Sequence, residues 1–232
     1  MALPITTDQP DRTVPPESRE IARDFILSRL GSLFAIAPLG VWVLAHLWNQ
    51  LAAYRSPAAW QESVEGHVNG ATTVLVFVVV LGPLLWHTVW GIARMLRSRP
   101  AVSNTGFSNI RYVVQRLSAI GLLGFLAAHL YLAWFEPRFL HGRPEPFSEI
   151  AREMRFHGPT LIVYVLGVLA IAYHLANGLW SFLTMGWGVT VSKSGIAWME
   201  RVALLFFFVL LIIGWAAVYG LYAGGEVYGP PA

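Results

Sequence analysis

The sequence predicts an all-α integral membrane bundle of five transmembrane helices, and its composition and its apolar stretches lead to this prediction. Hydrophobic residues make up 56% of the 232 residues, whereas charged residues make up only 12%, roughly half the share found in a soluble domain. Five apolar stretches, each near the ~20 residues that cross a bilayer, lie at about 30–53, 72–93, 113–135, 160–185 and 202–223. The chain has no cysteine, which excludes disulfides, iron–sulfur clusters and thiolate-bound metals.

The distribution of basic residues predicts a cytoplasmic N-terminus and an outer C-terminus. With this orientation only five of the 16 Lys and Arg residues fall outside, and the remaining eleven lie inside, in line with the positive-inside bias. The outer five are Arg55, Arg138, Arg143, Arg152 and Arg155. We expect a cytoplasmic arm over 1–27, a transmembrane domain over 28–223 and a short outer tail over 224–232. Because topology explains the net charge of +3, no nucleic-acid partner is expected.

The second outer loop, residues 136–159, is long and mixed in charge. It contains one pattern typical of a surface helix, over Ser148 to Phe156. A serine just before such a pattern is well suited to cap a helix, so Ser148 is predicted to be the N-cap.

Four histidines lie within the predicted spans, one on each of the first four helices: His46, His87, His129 and His174. An imidazole facing hydrocarbon is costly and usually marks a functional path or a cofactor. For any one of them, a hydrogen bond to a neighbouring hydroxyl or carbonyl is an equal alternative. At 1.5 Å per residue, His46 and His129 lie ~26 Å from the inner ends of their helices, whereas the other two approach the inner face. The two levels are ~10–15 Å apart.

Two imidazoles at one depth on different helices can occupy both axial positions of an iron porphyrin. We therefore expect two b-type haems, an inner one held by His87 and His174 and an outer one held by His46 and His129. Zinc is a weaker alternative, because it requires four ligands that converge tetrahedrally.

A short internal repeat supports this arrangement. The tetrapeptides at 45–48 (AHLW) and 128–131 (AHLY) are similar, and a glycine follows each inner histidine by four residues, at Gly91 and Gly178. One helical turn separates these residues, so each glycine leaves space beside the ring for a flat macrocycle. Close helix packing is the competing explanation for the two glycines.

This pattern resembles the five-helix, di-haem cytochrome b subunits of succinate dehydrogenases and fumarate reductases. The resemblance rests on the four histidines, on SRLGS at 28–32 and on QRLS at 115–118. It implies a multi-pass anchor in a bacterial cytoplasmic membrane that binds a flavoprotein and an iron–sulfur subunit on its inner face. Electrons would pass between those partners and menaquinone or another quinone, and the whole complex is a candidate for oligomerisation. Because the chain has no dinucleotide motif and no cluster-binding cysteine, we expect the dicarboxylate chemistry in the partners.

The resemblance also implies further site residues. Haem propionates need cationic or hydroxyl partners near the interface, although interfacial snorkelling equally explains such residues. The candidates by position are Ser28, Arg29, Ser32, Arg116 and Lys193. For quinone proton exchange the resemblance points to an acid at the outer end of the second helix or in the loop before it. Glu65 is the best match and Glu62 the second, with a solvated loop acid as the alternative.

One position departs from the pattern. Some di-haem fumarate reductases carry a glutamate two residues before the fourth-helix ligand, whereas Ala172 stands there in this chain. We therefore expect succinate oxidation with menaquinone. The alternatives are a quinol:fumarate reductase anchor, the cytochrome b of a formate dehydrogenase or hydrogenase, and a haem-free transporter with a histidine relay.

Overall fold

The computed structural model describes residues 16–65, 70–97, 106–190 and 192–230, and these residues form helices and short connections without a β-strand. The helical elements are Pro16–Phe34, Ala35–Gly40, Val41–Gln50, Leu51–Tyr54, Pro57–Glu65, Gly70–Val76, Phe77–Leu81, Gly82–Arg97, Gly106–Leu130, Tyr131–Leu140, Phe147–Phe156, Gly158–Ser181, Phe182–Gly186, Lys193–Gly224 and Gly225–Tyr228. The predicted all-α class is confirmed.

Within the described residues, five helical spans are long and apolar enough to cross a membrane, which confirms the predicted number. In chain order they are Glu20–Tyr54, Gly70–Arg97, Ile110–Leu140, Gly158–Gly186 and Lys193–Tyr228, called the first to fifth spans below. Each span is longer than its apolar stretch. Helix already begins at Pro16, within the predicted arm, and residues 1–15 lie outside the described part of the chain. In accordance with the predicted topology, the end of the bundle at which the first span begins is called the inner end.

Four of the spans contain wide turns of π-helix: Ala35–Gly40, Phe77–Leu81, Tyr131–Leu140 and Phe182–Gly186. Pro38 and Pro137 lie inside two of these turns. Pro83 follows the turn of the second span by two residues. Proline has no backbone N–H and crowds the preceding turn, so a locally widened helix is the expected response.

The most tightly packed part of the bundle is the contact between the fourth and fifth spans. A Cβ added to Gly214 would lie 2.5 Å from Val168, so only glycine allows the two backbones to approach this closely. The Trp215 indole donates a hydrogen bond of 3.1 Å to the Val165 carbonyl across the same contact. The fifth span also packs against the first, and the fourth packs against the third.

Two short helices cover the outer end, Pro57–Glu65 and Phe147–Phe156, called the first and second loop helices. Buried Trp60 packs edge-on against Phe147, with ring centres 5.6 Å apart. The side-chain oxygen of Gln61 accepts a hydrogen bond of 2.9 Å from the Phe147 N–H. The predicted surface helix is therefore present, but the prediction of Ser148 as its N-cap is wrong. The helix begins one residue earlier, and Gln61 supplies the capping oxygen from another element.

Candidate cofactor site

One cavity of about 1850 Å³ runs through the bundle. Its walls extend from Ser28 at the inner end to Glu145 at the outer end and include residues of all five spans. Single small-molecule sites usually measure about 300–1,000 Å³. The cavity is therefore large enough for more than one ligand, and most of its wall is apolar.

The structure brings His46 and His129 together on the wall of this cavity. Their ring centres are 5.8 Å apart and their planes are inclined by 74°. Trp42 stacks on His46 with centres 6.0 Å apart, and Phe125 stacks on His129 at 5.5 Å. Aromatic neighbours on both sides restrict the rings to this orientation.

His87 and His174 form a second pair on the same cavity. Their ring centres are 6.2 Å apart and their planes are inclined by 76°. Tyr164, which lies on the fourth span, contacts His129 of the outer pair. On the same helix as Tyr164, His174 follows ten residues later. Ten residues of α-helix rise about 15 Å, so the two pairs lie at different depths.

The spacing within each pair fits an ion held between the two rings. A metal–imidazole nitrogen bond is about 2.0–2.1 Å and the ring centre lies about 1.1 Å beyond that nitrogen, so two axial imidazoles have centres about 6 Å apart. Both observed spacings agree with this value. Among the described residues, no three His, Cys, Asp or Glu side chains converge as a metal-binding group.

Hydrogen bonds orient the histidine rings. Nδ1 of His87 lies 3.2 Å from the carbonyl oxygen of Gly31, which can only accept, so Nδ1 carries the proton and Nε2 keeps its lone pair. Nδ1 of His129 lies 3.1 Å from the Tyr164 hydroxyl, which can accept in the same way. Histidines that bind metals are usually held by such a bond from the second nitrogen.

A polar group on the third span surrounds His174. The Ser118 hydroxyl lies 3.4 Å from Nδ1 of His174 and gives its own proton to the Gln115 carbonyl at 2.9 Å. The side-chain nitrogen of Gln115 lies 3.2 Å from the same Nδ1. Asn177 donates to the Gln115 side-chain oxygen at 2.8 Å, which completes the network. The spacing of Gln115 and Ser118, three residues apart on one helix face, was the available sequence signal for this role.

Four of the five predicted propionate partners line the cavity: Ser28, Arg29, Ser32 and Arg116. The fifth, Lys193, is exposed at the start of the fifth span and is not on the cavity wall.

Sequence reasoning missed three arginines of the cavity wall, Arg94, Arg111 and Arg138. Arg94 donates a hydrogen bond of 2.8 Å to the Ser28 hydroxyl. Arg94 follows His87 by seven residues, which is two helical turns, so both lie on one helix face. This spacing was the sequence signal that could have placed Arg94 on the cavity wall. Arg111 forms an ion pair of 3.0 Å with Glu200, and its guanidinium lies 4.1 Å from the centre of the Trp180 ring.

Gly91 and Gly178 line the cavity, and a Cβ added to either would meet no atom within 4 Å. Close helix packing therefore does not explain these two glycines. The open space lies on the helix turn that follows each inner histidine.

The two acids predicted for proton exchange stand on the first loop helix beside the cavity. Glu62 is exposed, and Glu65 accepts a hydrogen bond from Gln61 at the end of that helix. Neither lines the cavity, although Ser63 and Val64 between them do. Their proposed role stays a prediction.

Within the described residues, five apolar spans surround two pairs of facing histidines, which is the architecture of a multi-pass membrane protein. No family model matches the chain. The chain is 28% identical over 205 residues to the succinate dehydrogenase cytochrome b558 subunit of Bacillus subtilis (strain 168). The alignment covers 85% of this chain and 96% of that protein. The predicted resemblance is thereby confirmed: the chain is a relative of a cytochrome b membrane subunit of succinate dehydrogenase, and it is a multi-pass protein of the bacterial inner membrane.

Proposed function

We propose that this chain anchors a succinate:quinone oxidoreductase and carries electrons through two b haems between an iron–sulfur partner and menaquinone or another quinone. The observation that supports this most is the presence of two histidine pairs, with ring centres 5.8 Å and 6.2 Å apart, on one large apolar cavity. A flavoprotein and the iron–sulfur subunit would bind at the inner end and carry out the dicarboxylate chemistry.

Different residues of the cavity would hold the iron and the propionates of each haem. His87 and His174 would bind the inner iron, His87 through Nε2, and His46 and His129 would bind the outer iron. Arg29, Arg94 and Arg116, with the hydroxyls of Ser28 and Ser32, would offset the propionate charges. When bound, each haem supplies one-electron redox chemistry in an apolar setting.

The surroundings of the fourth span favour succinate oxidation as the physiological direction. Ala172 is fully buried two residues before His174, so this helix offers no carboxyl at the position where some fumarate reductases have one. Glu65 and Glu62 remain the candidates from the resemblance for quinone proton exchange.

Anaerobic spectroscopy of the purified complex tests this function. Succinate should reduce b-type bands in the sample, an added quinone should reoxidise them, and a flavoprotein and an iron–sulfur protein should co-purify. If succinate does not reduce the haem bands and a molybdenum or nickel protein co-purifies, the chain belongs to another dehydrogenase. Faster turnover from quinol to fumarate than from succinate to quinone would contradict the proposed direction.

Replacing Tyr164 by phenylalanine tests the assignment of the outer pair. With Nε2 of His129 on the iron, Nδ1 would carry the proton and the Tyr164 hydroxyl would accept it, so losing this acceptor would make the imidazole a weaker donor to iron. We expect Tyr164→Phe to raise the midpoint potential of one haem and to leave the other unchanged. Tyr219→Phe is a suitable control, since Tyr219 is exposed and does not line the cavity. Equal shifts of both haems in a redox titration, or no shift, would contradict the assignment.

A further inference from the structure

The outer end of the cavity carries a carboxyl to which the preceding account gives no role. Glu145 is partly buried in the loop between the third span and the second loop helix, and it lines the cavity. Among the described residues on the cavity wall, it is the only aspartate or glutamate. The rest of the outer wall is mainly apolar, with the guanidinium-bearing Arg138 and a few polar side chains such as Ser63 and Asn49.

The backbone around Glu145 is held firmly. Pro144 and Pro146 flank it, and a proline on each side restricts the conformations open to the residue between them. Gln61 donates a hydrogen bond of 3.1 Å to the Glu145 carbonyl and accepts from the Phe147 N–H on the other side. These contacts hold the backbone of the loop in place where Glu145 lines the cavity.

The charges around Glu145 suit it to gain and lose a proton near neutral pH. Burial raises the pKa of its carboxyl to about 7, and the nearby carboxylates of Glu149, Glu136 and Glu153 act in the same direction against Arg143. Arg143 is itself ion-paired with Glu149. An acid with a pKa near the working pH is well placed for proton transfer.

Other elements packed around this point contribute two further titratable groups. Glu65, on the first loop helix, shares the Gln61 amide with the Glu145 carbonyl. Tyr164, on the fourth span, lines the same cavity, interacts electrostatically with Glu145 and contacts His129. Glu145 and the outer histidine pair therefore border the same end of the cavity.

We propose that Glu145, rather than Glu65 or Glu62, which do not line the cavity, is the carboxyl that exchanges protons with a quinone bound at the outer end of this cavity, between the outer histidine pair and the outer surface. This inference rests on the proposed function. A quinone has a flat apolar ring with two carbonyl oxygens, which matches a mainly apolar wall with few polar groups.

The proposed step balances as follows. Reduction of one quinone to quinol takes two electrons, which come from succinate through the partner subunits and the haems, and two protons. For each proton, the carboxyl O–H bond of Glu145 breaks and a quinone O–H bond forms. Water at the outer surface then returns a proton to the carboxylate, so Glu145 acts twice per quinone. The same transfers run backwards when quinol is oxidised.

Glu145→Gln tests the proposal in membranes that contain the assembled complex. We expect succinate-to-naphthoquinone turnover to fall about 100-fold, the usual order for loss of a general acid. Haem content and succinate oxidation with a soluble dye acceptor should stay at wild-type levels. Glu145→Asp should restore part of the turnover because it keeps a carboxyl. Glu226→Gln is the matched control, since Glu226 is exposed at the outer end and does not line the cavity.

The pH profile gives a second readout. Since the raised pKa keeps Glu145 protonated below about pH 7, wild-type quinone reduction should decline as the pH rises through that value. The Glu145→Gln variant should lack this decline. Wild-type turnover and an unchanged pH profile in Glu145→Gln would overturn the proposal. A loss of quinone turnover in Glu65→Gln, with wild-type turnover in Glu145→Gln, would overturn it as well. Wild-type membranes without haem bands would instead contradict the proposed function.

Infrared difference spectroscopy keeps the proposal testable if Glu145→Gln does not assemble. In the wild-type complex, adding the naphthoquinone should perturb the C=O band of a protonated carboxyl that titrates near pH 7, and Glu145→Asp should move that band. A spectrum with no such carboxyl band would overturn the proposal.

Discussion

Replacing His87 or His174 by alanine is expected to abolish one b-type haem signal completely and to leave the other in place. His46→Ala and His129→Ala should each abolish the second signal instead. The reason is geometric: the rings face each other in two pairs, with centres 6.2 Å and 5.8 Å apart, and the pairs lie at different depths. Removing either ring of a pair would remove one of the two histidines that would hold the same haem.

Low-temperature spectra and a redox titration of each variant measure this outcome. His157→Ala is the control, because His157 lies outside the spans, where its ring contacts Thr160 and Glu153. It should keep both signals. Loss of the same signal from all four histidine variants would contradict the pairing.

Gly178→Leu is expected to exclude the inner haem while the chain still folds into the membrane. A Cβ at this position meets no atom within 4 Å and the residue lines the cavity, so a leucine side chain would occupy cavity space rather than strain the helices. The space lies one turn after His174, beside the expected inner macrocycle. Gly91→Leu should act in the same way on the second span.

Gly124→Leu is the matched control for both variants. A Cβ at Gly124 also meets no atom within 4 Å, but Gly124 is exposed outside the cavity. Haem content per chain and the amount of membrane-inserted chain are the measurements. Full retention of both haems in Gly178→Leu and Gly91→Leu would show that the macrocycle does not occupy this space.

The sequence was sufficient for the features that depend on hydrophobicity and helical rise. Spans of about 20 apolar residues and the relative depths of four histidines follow from local composition and from 1.5 Å per residue. The pairing of His46 with His129 and of His87 with His174 followed from depth alone, because residues at one level on packed helices can meet.

The partners of those histidines were beyond sequence reasoning because they depend on tertiary contacts. Nothing local indicates that the Gly31 carbonyl would face His87, or that Tyr164 would face His129. The outer end shows the same limit. The hydrogen bonds of Gln61 join two distant loops, and this contact both displaces Ser148 from the predicted cap and places Glu145 on the cavity wall.

The most direct test of the central claim is the haem content of the purified chain, determined chemically after growth with ample iron. Two b-type haems per chain are predicted, because two histidine pairs border one cavity at separate depths. A stoichiometry of one haem, or a colourless preparation of folded protein, would contradict the account.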